Sequence, residues 1–172
     1  MARQRIAPTG RESPLGVEEI IVSKTDLKGR ITYANDVFLR VAHLTEAQAI
    51  GAPHSIVRHP EMPRAVFKLL WDRIEAGHEV FAYVLNLALN GDHYWVFAHV
   101  TPSRDLEGNI VGYHSNRRKP DPCQVAAVAP VYKAMLEIEK GTADRKQGLA
   151  RAGAHLADIL KGRPYDEFVF SI

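Results

Sequence analysis

Apolar residues first gather at Ile20-Ile21-Val22 and again at Ile31-Thr32-Tyr33, two short β-prone runs separated by Asp26-Leu27-Lys28-Gly29. That spacing predicts a hairpin. Asn35-Asp36 then offers a helix cap ahead of Val37, Phe38 and Val41, which share one helical face. Thr45-Glu-Ala-Gln48 reads as a capping box, closed by Gly51 and Pro53. The stretch from His54 to Met62 loses all periodicity and is bounded by prolines. Pro63 suits the first turn of a helix that places Val66, Phe67, Leu70, Trp71 and Ile74 at helical spacing and ends at Gly77. Residues 79–89 and 93–101 are long β-prone runs joined by Asn90-Gly91-Asp92, a strong hairpin signal. Asp105-Leu-Glu-Gly108 turns into a last run, Ile110–Asn116. Two strands, a few short helices and three strands in consecutive hairpins predict an α+β fold with an antiparallel sheet.

The pattern changes at Arg117-Arg118-Lys119-Pro120-Asp121-Pro122, a charged stretch with two prolines that marks a boundary. Beyond it Val125, Val128, Tyr132, Met135 and Leu136 share a face, with Pro130 either kinking that helix or marking its start. Thr142 is placed to cap a second helix carrying Leu149, Leu156, Ile159 and Leu160, and an apolar tail follows from Tyr165. Three parts result: a mobile N-terminal arm over 1–17, a core domain over 18–118 and a helical coupling extension over 119–172.

Composition adds exclusions. At 172 residues there is room for one domain and an appendage. The 22 Lys+Arg against 20 Asp+Glu are near balance, which does not point to nucleic acid. No apolar run approaches the roughly 18–20 residues of a membrane span, and the opening MARQRIAPTGRESP lacks the apolar centre of a signal peptide. Cys123 has no partner for a disulfide or a zinc site. A cytoplasmic protein is expected, and the Met1 start and compact apolar end favour a stand-alone chain.

The eight histidines show no metal-ligand spacing, and no nucleophile elbow, phosphate-binding loop or dinucleotide fingerprint occurs. No metal and no enzymatic activity are expected. Three features remain. Tyr33-Ala-Asn35-Asp36-Val-Phe38 runs from strand to capped helix, and Asn35 serves either as that cap or toward a cavity. His54-Ser-Ile-Val-Arg58-His59-Pro60-Glu61-Met62-Pro63 crowds Arg, His and Glu into a proline-bounded loop; it is a solvated loop or a ligand site. Asn86 is a lone amide within an apolar strand, where a buried polar group needs a partner.

In this order the three features resemble the PAS domain of bacterial aerotaxis transducers. Thr25–Phe38 is similar to the start of PAS domains in general, while Val57-Arg-His-Pro-Glu-Met-Pro-Arg64 and Asn90-Gly-Asp-His-Tyr-Trp-Val96 are similar to that subgroup. The resemblance covers residues 18–118 and, more weakly, Pro130–Met135. It implies a five-stranded antiparallel sheet with helices on one face, followed by the helical extension, and a non-covalent FAD that reports redox or oxygen status. It also implies Asn35, Arg58, His59, Glu61, Trp71 and Asn86 as flavin-contacting residues, with Glu61 where relatives carry Asp. Two departures stand out: Gly77-His-Glu-Val80-Phe81 replaces a tryptophan-bearing segment, and Leu87-Ala88-Leu89 replaces a basic one. They keep open a haem alternative, with His59 or His54 as axial ligand, and a ligand-free interaction module. The expected output is a homodimer, or docking on a signalling protein or chemotaxis-type transducer through residues 124–172.

Overall fold

The computed structural model describes residues 6–172. Five strands, β1 (Ile21–Thr25), β2 (Ile31–Ala34), β3 (Val80–Leu87), β4 (His93–Arg104) and β5 (Ile110–Arg118), form one antiparallel sheet in the order β2-β1-β5-β4-β3. Every hairpin sits at a turn signalled by the sequence. At the first, Asp26 Oδ1 accepts from the amides of Lys28 and Arg30, both at 2.9 Å. Helices α1 (Asp36–Ala42), α2 (Glu46–Ala49) and α3 (Arg64–Glu75), with a one-turn 3-10 helix (His54–Val57), cross one face of the sheet between β2 and β3. The fold class read from the resemblance is therefore the fold observed.

Strand alternation divides the sheet. On its inner face stand Ser23 and Thr25 of β1, Tyr113, Ser115 and Arg117 of β5, Ala98 and Val100 of β4, and Val84 and Asn86 of β3. The opposite face carries Phe81, Tyr83, Trp95 and Phe97, which the C-terminal extension covers. Helices α4 (Pro122–Gly141), α5 (Arg145–Leu160) and α6 (Tyr165–Phe170) fold back on the domain. Tyr132 Oη donates to the Tyr83 carbonyl at 2.7 Å, and Phe170 packs on Phe81 at a tilt of 59° with ring centroids 4.7 Å apart. Val128, Tyr132, Met135, Tyr165 and Val169 are buried in the common core. The apolar side of the extension, expected to face a partner, is thus spent on the sheet.

Helix α3 is gripped by the extension at both ends. Pro63 precedes it and offers no side-chain cap. The Glu139 carboxylate of α4 takes that role, accepting from the amides of Ala65 (2.9 Å) and Arg64 (3.1 Å) and from Arg64 Nε (3.1 Å). At the far end Arg73 pairs with Asp166 of α6 at 2.7 Å. Gly148 lets α5 close on this point, since a Cβ there would stand 3.1 Å from the Glu139 carbonyl.

Three expectations are corrected. Residues 6–17 are laid on the domain, not free of it. Thr9 N donates to Gly91 O, His93 N to Arg11 O and Ser13 N to His93 O, while Leu15 is buried. The rest of the expected mobile arm, residues 1–5, lies outside the described residues. Thr142 ends α4, donating through Oγ1 to Ile138 O at 2.8 Å, and Asp144 caps α5 instead by accepting from Gln147 N at 2.7 Å. Pro130 does not begin α4; the helix starts eight positions earlier at Pro122 and runs through it.

Candidate functional site

Between the inner face of the sheet and the helices lies a cavity of about 430 Å³, within the usual range for small-molecule sites. Phe67, Leu70, Trp71 and Ile74 of α3 form its apolar wall, the segment 53–55 and Arg58 another, and the β1–β2 turn closes it above. Gly29 in that turn has φ +73°, and a Cβ there would sit 2.9 Å from the Trp71 indole, so only glycine lets the ring lie against the turn. Trp71 meets Tyr113 edge-on, with centroids 5.5 Å apart.

The polar end is built around Arg117. Its Nε donates to Ser115 Oγ at 3.0 Å, and its Nη2 reaches Ser23 Oγ and His54 Nε2, both at 2.6 Å. Its Nη1 is buried with no partner among the described residues, and no carboxylate faces it. Burial lowers the guanidinium pKa to about 10, still charged at neutral pH. A buried cation with a donor to spare is costly unless something accepts from it. Tyr94 Oη is likewise buried and unpartnered, and burial pushes its pKa up. Asn86, 4% exposed, adds an amide to the same wall.

Burial and the adjacent Arg117 charge hold His54 at a pKa of about 3, so the ring is neutral and accepts through Nε2. An unfolded His takes up a proton below about 6.5, while the folded one resists until about 3. Stability contributed by neutral His54 is therefore complete above pH 6.5 and is lost as pH falls toward 3, with a slope of up to about 1.4 kcal/mol per pH unit. His54→Gln is expected to flatten this part of the acid-stability profile, measured as urea midpoints between pH about 7 and about 4.

Of the residues expected to contact a ligand, Arg58, Trp71 and Asn86 meet at this cavity, and so does His54. Asn35, His59 and Glu61 do not. Asn35 is a local cap: its Oδ1 accepts from Phe38 N and Val22 N, each at 3.0 Å, and its Nδ2 donates to Ile20 O. His59 Nδ1 accepts from Glu61 N at 3.1 Å, which folds the loop, and the Glu61 side chain is exposed. His59 lines a second cavity on the far side of the loop. Neither axial-ligand candidate suits haem here. His54 Nε2 is taken by a guanidinium, and His59 is outside the cavity.

Arg117, Ser23 and Ser115 are site residues that the sequence reading missed. The sequence places Arg117 at the end of the core domain, at the head of a charged boundary stretch. Yet from Tyr113 the alternation Tyr113, Ser115, Arg117 continues one strand face, and that parity was the available signal.

Comparison with known proteins agrees with the architecture. A family model described as the PAS fold matches residues 20–115. The aerotaxis receptor of Escherichia coli strain K12 is 40% identical over 149 residues, covering 83% of this chain and 29% of the receptor. Phototropin-1A of Oryza sativa subsp. japonica is 28% identical over 80 residues, covering 46% of this chain and 9% of that protein. This chain therefore spans less than a third of either relative. Among solved structures, the light state of the blue-light photoreceptor Aureochrome1 LOV superposes with a TM-score of 0.58 at 27% identity, over 64% of this chain and 88% of that one.

Proposed function

The chain belongs to the PAS fold family, and from that premise we propose that it is a cytoplasmic sensory module whose cavity holds a flavin, FAD, and passes its redox state to a signalling partner. The observation that carries this reading is the unpaired, buried Nη1 of Arg117, a residue that lines the same cavity as Asn86, Trp71 and Tyr113. A planar ring with carbonyl and imine acceptors on its edge matches this set: aromatic and aliphatic walls for its faces, a guanidinium and an amide for its edge. The similarity to the aerotaxis receptor and the motifs around Arg58 and Asn90 support the same ligand class. The names of an aerotaxis receptor and of a blue-light photoreceptor among the similar proteins support a sensor over an enzyme.

When bound, a flavin supplies reversible uptake of electrons, with a change of charge at its ring edge. Arg117 and Asn86 are the residues that respond, because an added negative charge strengthens donation from Arg117 and repels acceptors. Arg117 is tied to Ser23 of β1 and to His54, while Trp71 ties the ring wall to α3. Since α3 is capped by Glu139 and anchored through Arg73 to Asp166, a shift of α3 reaches α4 and α6 directly. The outer faces of these helices are the surface a partner or a second copy reads.

The functional test is amide hydrogen exchange on the FAD-reconstituted chain, oxidised and then reduced anaerobically. Protection is expected to change at the start of α3 and in α4–α6, with the β4–β5 pair unchanged. Exchange identical in the two states across the extension would refute the signalling role.

A further inference from the structure

The second cavity, of about 710 Å³, lies between the 55–64 loop and the α4–α5 junction and shares Ser55 and Arg58 with the first. Its walls carry Arg58, Arg64, Lys140 and Arg145 against a single carboxylate, Glu139. Glu139 is already committed to the amides of Arg64 and Ala65 and to Arg64 Nε. Among the described residues no carboxylate pairs with Arg58, Lys140 or Arg145. Arg58 is fixed by stacking, its guanidinium 4.3 Å from the Phe67 ring centroid, and so stands at the junction of the two cavities. Burial lowers its pKa; Glu139 opposes this, and Arg64 and Arg145 add to it.

Like charges gathered around a cavity repel each other unless an anion joins them. Guanidinium and ammonium groups at such a point suit phosphate oxygens. One cavity is apolar and aromatic with a hydrogen-bonding end, its neighbour is cationic, and an arginine is common to both. We propose that the second cavity holds the diphosphate-bearing half of the flavin dinucleotide, with Arg58, Lys140 and Arg145 as its phosphate ligands. Lys140 ends α4 and Arg145 begins α5, so the extension itself completes the cofactor site. Selectivity for the dinucleotide over shorter flavins then depends on the extension being docked. This rests on the flavin reading of the first cavity.

The test compares riboflavin, FMN and FAD in fluorescence titrations of the ligand-free chain and of its K140A/R145A variant. Both residues are exposed and, among the described residues, neither side chain pairs with Glu139; an unchanged melting temperature checks that the variant is folded. The full chain is expected to bind FAD about tenfold or more tighter than riboflavin, with a preference that shrinks as salt rises. The variant is expected to lose most of that preference while binding riboflavin as before, and K140R/R145K to retain it. ADP is expected to compete with FAD but not with riboflavin. Equal affinity for FAD and riboflavin in the full chain, or an undiminished preference in the variant, would overturn the assignment while leaving a flavin in the first cavity. Binding of none of the three flavins would overturn both.

Discussion

Arg117→Met is expected to abolish flavin retention while leaving the ligand-free domain about as stable as before. The two effects separate because the arginine is costly by itself. It is 4% exposed and, among the described residues, has no carboxylate partner and no acceptor for Nη1. Exchanging a buried ion for an apolar side chain of similar length recovers a desolvation cost of several kcal/mol. Against this, Ser23, Ser115 and His54 each lose a hydrogen bond worth about 1 kcal/mol. The terms nearly cancel, so the denaturation midpoint shifts by no more than about 1–2 kcal/mol in equivalent stability. Loss of one charged partner from a buried hydrogen-bonded contact costs about 2–5 kcal/mol of binding, roughly 30-fold or more in affinity. Arg117→Lys is expected to recover little, because one ammonium cannot span both serines and still reach the ligand. A large loss of stability with retained flavin would show that Arg117 serves the fold and not the site.

Glu139→Ala is expected to act the other way, on the fold first. Its side chain is 4% exposed and accepts three hydrogen bonds from the start of α3. Removal strands two helix amides and leaves Arg64 beside Arg58 and Arg145 without its carboxylate. Unpartnered buried donors and a broken charge pair together cost about 3 kcal/mol or more. The loss is expected to be local: limited proteolysis should cut between α4 and α5 while the sheet stays protected. Glu139→Gln, which keeps an acceptor but loses the charge, should fall between the two. Wild-type protease resistance in Glu139→Ala would show that Glu139 does not tie α3 to the extension.

How much of this was readable beforehand follows from the range of each interaction. The hairpins at Asp26–Gly29, Asn90–Asp92 and Asp105–Gly108 were legible because turn chemistry is local. So was Asn86, a polar residue where its strand is otherwise apolar. Asn35 was read both as a cap and, by resemblance, as a ligand contact. The structure takes the cap, whose signature Asn35-Asp36 before Val37 and Phe38 was already in the sequence. His59 and Glu61 are adjacent in sequence to Arg58, but their loop turns them away from the cavity, and spacing alone does not set that direction. The Arg117-Arg118-Lys119 run hid the end of β5, since its charges and the prolines after it mark a boundary while the strand parity continues to Arg117. The hold of Glu139 on Arg64 spans 75 positions and joins a helix start to another helix's end, so no window of periodicity contains it.

A flavin in the cavity around Arg117 is what the sensing role, the dinucleotide selectivity and the Arg117→Met phenotype all require. The most direct measurement is the absorption spectrum of the purified chain, incubated with FAD or with haem and freed of unbound ligand by gel filtration, beside that of the Arg117→Met variant. The prediction is flavin bands that travel with the wild-type protein and are absent from the variant. A wild-type chain that emerges colourless, or that carries a Soret band in place of flavin, would contradict it.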